Sequence, residues 1–196
     1  SLSATVALFG VRTEDDIVVL ANVGGRSSFG NVAATERYGV EASLHWRPTT
    51  RLSLQAALAT IRATYSEPFA VCQAAPCTRP TVPVPAGNRL PGVPSETLFI
   101  RADYRTRGLD VGAEWRAQSN LPVDDRNTDF AAGWGVVNLS VQQALAVGHW
   151  KLRAFFRVDN VLDQRYVGSV IVNEGNGRFF EPAPGRSWAV GLDARY

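Results

Sequence analysis

The sequence predicts an all-β chain, a section of an antiparallel transmembrane β-barrel of about nine strands, and three observations carry that expectation. Apolar and polar residues alternate in segment after segment, so one face of each strand suits lipid and the other suits water. Short and long joints alternate along the chain, which puts tight turns at one end of the sheet and long loops at the other. Aromatic residues gather beside the short joints, where a membrane interface would lie.

Taken in order, "LSATVALFGV" opens the pattern, and "DIVVLA" fits a short strand without clean alternation. In "RYGVEASLHWR", Tyr38, Val40, Ala42, Leu44 and Trp46 alternate with Arg37, Gly39, Glu41, Ser43 and His45. "RLSLQAALA" and "TLFIRADYR" follow with slips. In "GLDVGAEWRAQ", Leu109, Val111, Ala113, Trp115 and Ala117 alternate with Asp110, Gly112, Glu114, Arg116 and Gln118. "VVNLSVQQAL" leads to "WKLRAFFRVD", where Trp150, Leu152, Ala154, Phe156 and Val158 share the apolar face. The last segment, "GRSWAVGLDARY", sets Trp188, Val190, Leu192, Ala194 and Tyr196 on one face. The short joints are "TED", "PTT", "TR" and "AVGH". The long ones are "NVGGRSSFGNVAAT", the stretch from Tyr65 to Ser95, "SNLPVDDRNTDFAAG", and the stretch from Asn160 to Arg186.

Composition narrows the classes. The 196 residues are 45% hydrophobic and 19% charged, within the range of folded domains. With 20 basic and 18 acidic residues interleaved, no basic footprint argues for nucleic acid. No apolar run reaches the ~20 residues of a membrane helix, and no basic, apolar leader opens the chain, so neither a helical anchor nor a signal peptide is expected. A mean hydropathy of -0.07 leaves a barrel open, since barrel strands turn only alternate residues to lipid. Trp46, Tyr104, Trp150 and Tyr196 lie on the apolar face at the short-joint end and form the expected girdle there. An odd strand count leaves unsatisfied edges in lipid, so the chain is expected to be part of a larger barrel.

The stretch "FFRVDNVLDQRYVGSVIVNEGNGRFFEPAPGRSWAVGLDARY" resembles the carboxyl end of TonB-dependent receptors, through Asp159 to Asp163, Arg165 to Val167, Pro184 to Arg186 and the final strand. "NVGGRSSFGNVAATERYGVEASLHWRPTTRLSL" and "AGNRLPGVPSETLFIRADYR" resemble the same family in the same order. The resemblance implies a 22-stranded barrel in the bacterial outer membrane, plugged by an amino-terminal domain. It implies import of a ferric siderophore or similar scarce nutrient with energy relayed by TonB. Residues 1–196 are then expected to be the carboxyl-terminal part of that barrel, with the plug and the TonB-contacting segment outside this sequence. The family's usual last residue is Phe, and Tyr196 keeps an aromatic ring; Trp188, Val190, Leu192 and Tyr196 are the expected signal for the barrel-assembly machinery. A passive porin-type section and a soluble all-β binding module are the alternatives.

Candidate chemistry lies in the long loops. Cys72 and Cys77, with four residues between them, suit a disulfide in an oxidising extracellular loop better than free thiols. Two thiolates without a nearby His make an incomplete metal site. Asp125, Asn127 and Asp129 have the spacing of a calcium loop but lack its glycine and distal Glu, so a polar hairpin loop is the stronger reading. No cofactor or metal site is expected. His45 and His149 sit at the short-joint end, which argues against an enzyme working at the loops. Arg26, Arg79, Arg89, Arg126 and Arg178 are candidate donors for an anionic ferric chelate, and Phe69, Phe130, Phe179 and Phe180 are candidate packing surfaces for aromatic ligand groups. The inward charges, from Arg37 and Glu41 through Asp193 and Arg195, either contact a plug or line a hydrated lumen.

Overall fold

The computed structural model describes residues 1–32, 34–72 and 79–196. The first elements are β1 (Leu2–Glu14), β2 (Ile17–Val23), β3 (Arg26–Asn31), β4 (Ala34–Trp46), β5 (Leu52–Tyr65), β6 (Phe69–Val71), β7 (Val82–Val84) and β8 (Glu96–Thr106). They are followed by β9 (Leu109–Gln118), β10 (Leu121–Pro122), β11 (Phe130–Ala131), β12 (Trp134–Val147), β13 (Trp150–Asp159), β14 (Val167–Val170), β15 (Phe180–Pro182) and β16 (Ser187–Arg195). Eight of these form one antiparallel sheet in the order β1-β4-β5-β8-β9-β12-β13-β16. The remaining strands form four small hairpins, β2-β3, β6-β7, β10-β11 and β14-β15.

The pleat turns the sequence alternation into two faces. Val141 stands between Val111 and Phe156, and Leu8 stands opposite Val40, so apolar positions line up across neighbouring strands. This face is bare: Leu8 is 80% exposed, Val6 69% and Trp188 71%. Trp188, Val190, Leu192 and Tyr196 all lie on it. An apolar band running across eight strands far exceeds what a soluble monomer leaves in water, and it matches a lipid-facing wall. Trp46, Tyr104, Trp150 and Tyr196 gather on this face at one end, where the Trp150 and Tyr196 rings meet edge-on at 5.2 Å. Tyr38, Trp115 and Trp188 repeat the theme toward the other end, as a second interfacial belt requires.

The opposite face carries the charges and two close aromatic contacts. Phe9 lies across from Gly39, and Phe155 across from Gly191. A β-carbon on either glycine would run into the facing ring, so glycine is what lets each ring lie flat on the wall.

The sheet has eight strands where nine were expected, and the difference lies in "DIVVLA". β1 pairs directly with β4 over its whole length, and β2 forms a hairpin with β3 above them. The irregular alternation of Ile17–Val23 is the physical reason: with no single apolar face, the segment packs within a loop instead of lining lipid. "TED" therefore belongs to the long-loop end, and β1 runs opposite to the direction the nine-strand arrangement implies. Among the described residues β1 and β16 each pair on one side only, so the sheet is a section of a barrel whatever the parity of its strands.

With that change the end-to-end asymmetry is complete. Residues 47–51, 107–108 and 148–149 make three tight turns at one end, and four long connections lie at the other. In the first turn Thr49 Oγ1 accepts the amides of Arg51 and Leu52 at 3.2 and 3.0 Å. The wall is a single layer without a core of its own. The buried apolar side chains concentrate at the long-loop end, in one cluster of Val32, Ala63, Tyr65, Val84 and Leu90 and another of Leu121, Val123 and Ala131.

Candidate functional site

The four long connections fold against one another, and Asp125 sits where they meet. Tyr65, the last residue of β5, donates its hydroxyl to Asp125 Oδ1 at 2.6 Å. Asn173, between β14 and β15, donates its side-chain amide to Asp125 Oδ2 at 2.9 Å and to the Val19 carbonyl of β2 at 2.6 Å. Its Oδ1 accepts the Asp125 amide at 3.1 Å. Asn88, between β7 and β8, donates to the Asp125 carbonyl at 2.8 Å. Asn22 continues the tie, donating its side chain to Val172 O at 2.7 Å. Each connection thus contributes at least one group to the same buried lattice, which holds the loops as a unit.

Burial pushes the Asp125 carboxyl up to about 6, against the lowering effect of its bonds from Tyr65 and Asn173. Its stabilising contribution is therefore full at acidic pH and falls as pH rises through about 6, by roughly 3 kcal/mol at most. Amide exchange of the loops, corrected for intrinsic rates, should show tighter protection at pH 5 than at pH 7.5, and Asp125→Asn should flatten that difference. Asp16 behaves oppositely: burial alone would raise it, but Thr35 and Arg37 donate to its Oδ2 at 2.6 and 2.8 Å and hold it below the ordinary value.

Beside this lattice the β2-β3 hairpin and the connections around Asp125 and Glu174 enclose a cavity of about 880 Å³. Arg26, Cys72, Arg126 and Phe179 line it. The predicted Cys72–Cys77 bond cannot be placed, because Cys77 lies outside the described residues. Four carboxylates also line the cavity, Asp124, Asp125, Asp129 and Glu174. Asp125 is taken up by Tyr65 and Asn173, and the other three turn to their own loops: Asp124 accepts Thr128 Oγ1 at 2.6 Å, Asp129 accepts the Phe130 amide at 2.8 Å, and Glu174 accepts the Asn176 and Arg178 amides at 2.7 and 3.1 Å. Among the described residues Arg26 and Arg126 make no ion pair, so their guanidinium groups are the cavity's available donors.

The other loop candidates sit elsewhere. Arg89 is a brace, donating to the Asn120 carbonyl at 3.0 Å, and burial holds its guanidinium below the ordinary value. Arg79 and Arg178 are exposed and outside the cavity lining, next in the chain to Pro80, Gly177 and Phe179, which belong to it. Phe180 packs edge-on against Phe179 at 6.2 Å, outside the lining, while Phe69 packs on Tyr65 at 4.7 Å as part of the core. In "DDRNTD" the organising acid is Asp124: it caps Thr128 and Asp129, while Asn127 exchanges bonds with the Arg89 backbone at 2.8 and 2.9 Å. Asp124, Asn127, Thr128 and Asp129 are thus engaged in holding the turn, and Arg126 is left out of it. Sequence reading missed Tyr65 and Asn173; three asparagines within otherwise apolar loop segments, at positions 22, 88 and 173, were the available signal.

On the inner wall, Glu114 is buried and anchors a mixed-charge lattice. Arg116 Nε reaches its Oε1 at 2.7 Å, Asn138 Nδ2 the same oxygen at 3.1 Å, and Arg101 Nη1 its Oε2 at 3.4 Å. Arg101 also grips Asp103 at 2.7 Å, and Arg157 grips Asp159 at 2.7 Å. The Trp134 and Tyr166 rings meet at 4.6 Å, tilted by 44°, where this wall meets the loops. At the turn end folding brings Ser53 Oγ to 3.2 Å from His45 Nε2, a pair that sequence spacing did not show.

A family model described as TonB dependent receptor-like, beta-barrel, matches residues 1–161. The siderophore receptor PiuA from Acinetobacter baumannii matches with a TM-score of 0.74 at 19% identity, over 98% of this chain and 26% of that one. The ferric citrate transporter FecA, unliganded, matches at 0.71 and 17%, over 99% and 29%. The copper transporter OprC matches at 0.70 and 18%, over 97% and 27%. At these identities the likeness concerns the fold, and this chain spans between a quarter and a third of each structure's length.

Proposed function

The chain belongs to the TonB-dependent receptor β-barrel family of the bacterial outer membrane, and on that premise we propose that it forms the carboxyl-terminal section of an active transporter for a ferric siderophore or similar nutrient. The family is one of transporter receptors. In this reading the three tight turns face the periplasm, the four long connections face outside, and TonB supplies the energy through parts of the receptor beyond this chain.

The observation that carries the reading is the tied loop assembly with its cavity of about 880 Å³ and the unpaired guanidinium groups of Arg26 and Arg126. A cavity of this size accommodates a chelate-sized ligand. Two guanidinium donors fit the oxygen-rich, anionic periphery of a ferric chelate, and Phe179 offers a ring for packing. The inward ion-pair lattice around Glu114 suits a wall that holds a polar plug by bonds that can loosen.

In the full-length receptor, Arg26→Ala with Arg126→Ala should weaken ferric-siderophore binding by roughly a hundredfold, from about 1.5 kcal/mol for each charged hydrogen bond. Calorimetric titration reads this directly. Unchanged affinity for every chelate that the wild type binds would remove both residues from the ligand site.

A further inference from the structure

The β2-β3 hairpin, which carries Arg26, and the β10-β11 loop, which carries Arg126, both line the cavity, and Asn173 bonds to both. On the side of β2, its carbonyl accepts the Asn22 amide at 2.9 Å and its Nδ2 donates to the Val19 carbonyl at 2.6 Å. On the side of the β10-β11 loop, its amide donates to the Val123 carbonyl at 3.0 Å, its Oδ1 accepts the Asp125 amide at 3.1 Å, and its Nδ2 reaches Asp125 Oδ2 at 2.9 Å. The tie runs on to both arginines. Ser27, next to Arg26, donates its hydroxyl to Asn22 Oδ1, and Asp125 directly precedes Arg126. Hydrogen bonds and peptide links thus form one continuous path between two residues far apart in sequence.

The place suits asparagine. Its φ of 54° lies in the left-handed region, which Asn and Gly enter most readily. Its short side chain offers an acceptor and two donors at once, which Asp cannot. The neighbouring residues reach one wall only: Val172 O and Gly175 N bond to Asn22, and among the described residues neither bonds to the Arg126 loop. The hairpin tip adds no fixing of its own. Gly24 and Gly25, at φ 58° and 76°, make the turn between Val23 and Arg26, and nothing lies within 4 Å of where their β-carbons would be. The position of Arg26 relative to Arg126 is therefore set at the base of the hairpin, where Val19 and Asn22 meet Asn173. Every bond of Asn173 ends on this chain, so the tie does not depend on parts of the barrel beyond it.

We propose that Asn173 is a positioning residue that sets the width of the cavity between the Arg26 hairpin and the Arg126 loop, and so decides which ferric chelate fits. The proposal rests on the reading of the cavity as the ligand site. A width held by bonds to two walls selects by size, because a wider chelate must break a bond and a narrower one leaves polar groups unpaired.

The test uses the purified full-length receptor in nanodiscs. Spin labels on ketone-bearing residues that replace Arg26 and Arg126 leave the cysteines untouched, and pulsed dipolar electron paramagnetic resonance reads the distance between them. The parent should give one narrow distribution. Asn173→Gly keeps the left-handed backbone and removes the side chain, so it should broaden that distribution while heat-modifiable gel migration stays normal. Asn173→Asp sets two carboxylates against each other and should broaden it as well; adding Asp125→Asn returns a donor to the pair and should narrow it again. In receptors that retain both arginines, affinity is then measured for ferric dicitrate, a ferric tris-catecholate and a ferric tris-hydroxamate. Asn173→Gly should lower affinity for the preferred chelate by about tenfold and change the others by less than about threefold, so that the preference narrows. An unchanged distance distribution would overturn the proposal whatever the affinities show. A broadened distribution with the same preference among chelates would overturn it too, since Asn173 would then brace the loops without choosing the ligand. If the wild type bound none of the three chelates, the reading of the cavity would fall and the claim of selectivity with it, whereas the distance result reports on the tie alone, so the two failures are told apart.

Discussion

Tyr65→Ala should unfasten the loop assembly and leave the wall standing. The ring is 1% exposed, meets Phe69 at 4.7 Å and donates its hydroxyl to Asp125 at 2.6 Å. Truncating a buried aromatic costs about 3–5 kcal/mol, and the abandoned carboxylate adds about 1–3 kcal/mol more. Tyr65→Phe isolates the second part. Amide exchange should rise sharply in the connections between β5 and β8, β9 and β12, and β13 and β16, while strand amides in the wall keep their protection. Ligand affinity should fall with it, because the cavity walls are those same connections. If Tyr65→Phe leaves loop exchange unchanged, the Asp125 bond does not fasten the loops.

Val141→Arg should cost far more than the same change one residue along. Val141 lies on the apolar face between Val111 and Phe156, whereas Gln142 lies on the inner face opposite Asp110 and Phe155. A guanidinium near the bilayer midplane of a barrel costs about 2–4 kcal/mol. Gln142→Arg adds a cation beside a carboxylate on the hydrated side and should stay within about 0.5 kcal/mol of the parent. Folding of the full-length receptor into lipid vesicles, followed by heat-modifiable gel migration, measures both. Equal costs would mean that the two faces do not meet different solvents.

The wall was legible because a period of two leaves little freedom. "GLDVGAEWRAQ" and "WKLRAFFRVD" have one apolar and one polar face each, and their neighbours fix the same assignment in register. "DIVVLA" was misread as a barrel strand because composition alone supported one, while its broken alternation was the better guide. The site was less legible. Arg26, Arg126 and Phe179 reach the cavity, but Arg89, from an equally polar loop, folds back to brace Asn120. Nothing local distinguishes a ligand-facing arginine from a bracing one; the difference is set by contacts across about thirty residues of chain. The Tyr65, Asp125 and Asn173 triad joins positions separated by 60 and 48 residues, so it emerges only when the loops have folded together.

The central claim is that this sheet is a membrane wall with one face to lipid and the other to the lumen. A spin-label scan along β12 from position 138 to 146, in the full-length receptor in bilayers, tests it most directly. Oxygen collisions should peak at Leu139, Val141, Gln143 and Leu145, and collisions with a water-soluble nickel chelate, or burial against protein, should mark Asn138, Ser140, Gln142, Ala144 and Ala146. A profile without a period of two, or nickel access at Leu139, Val141 and Leu145, would contradict the account.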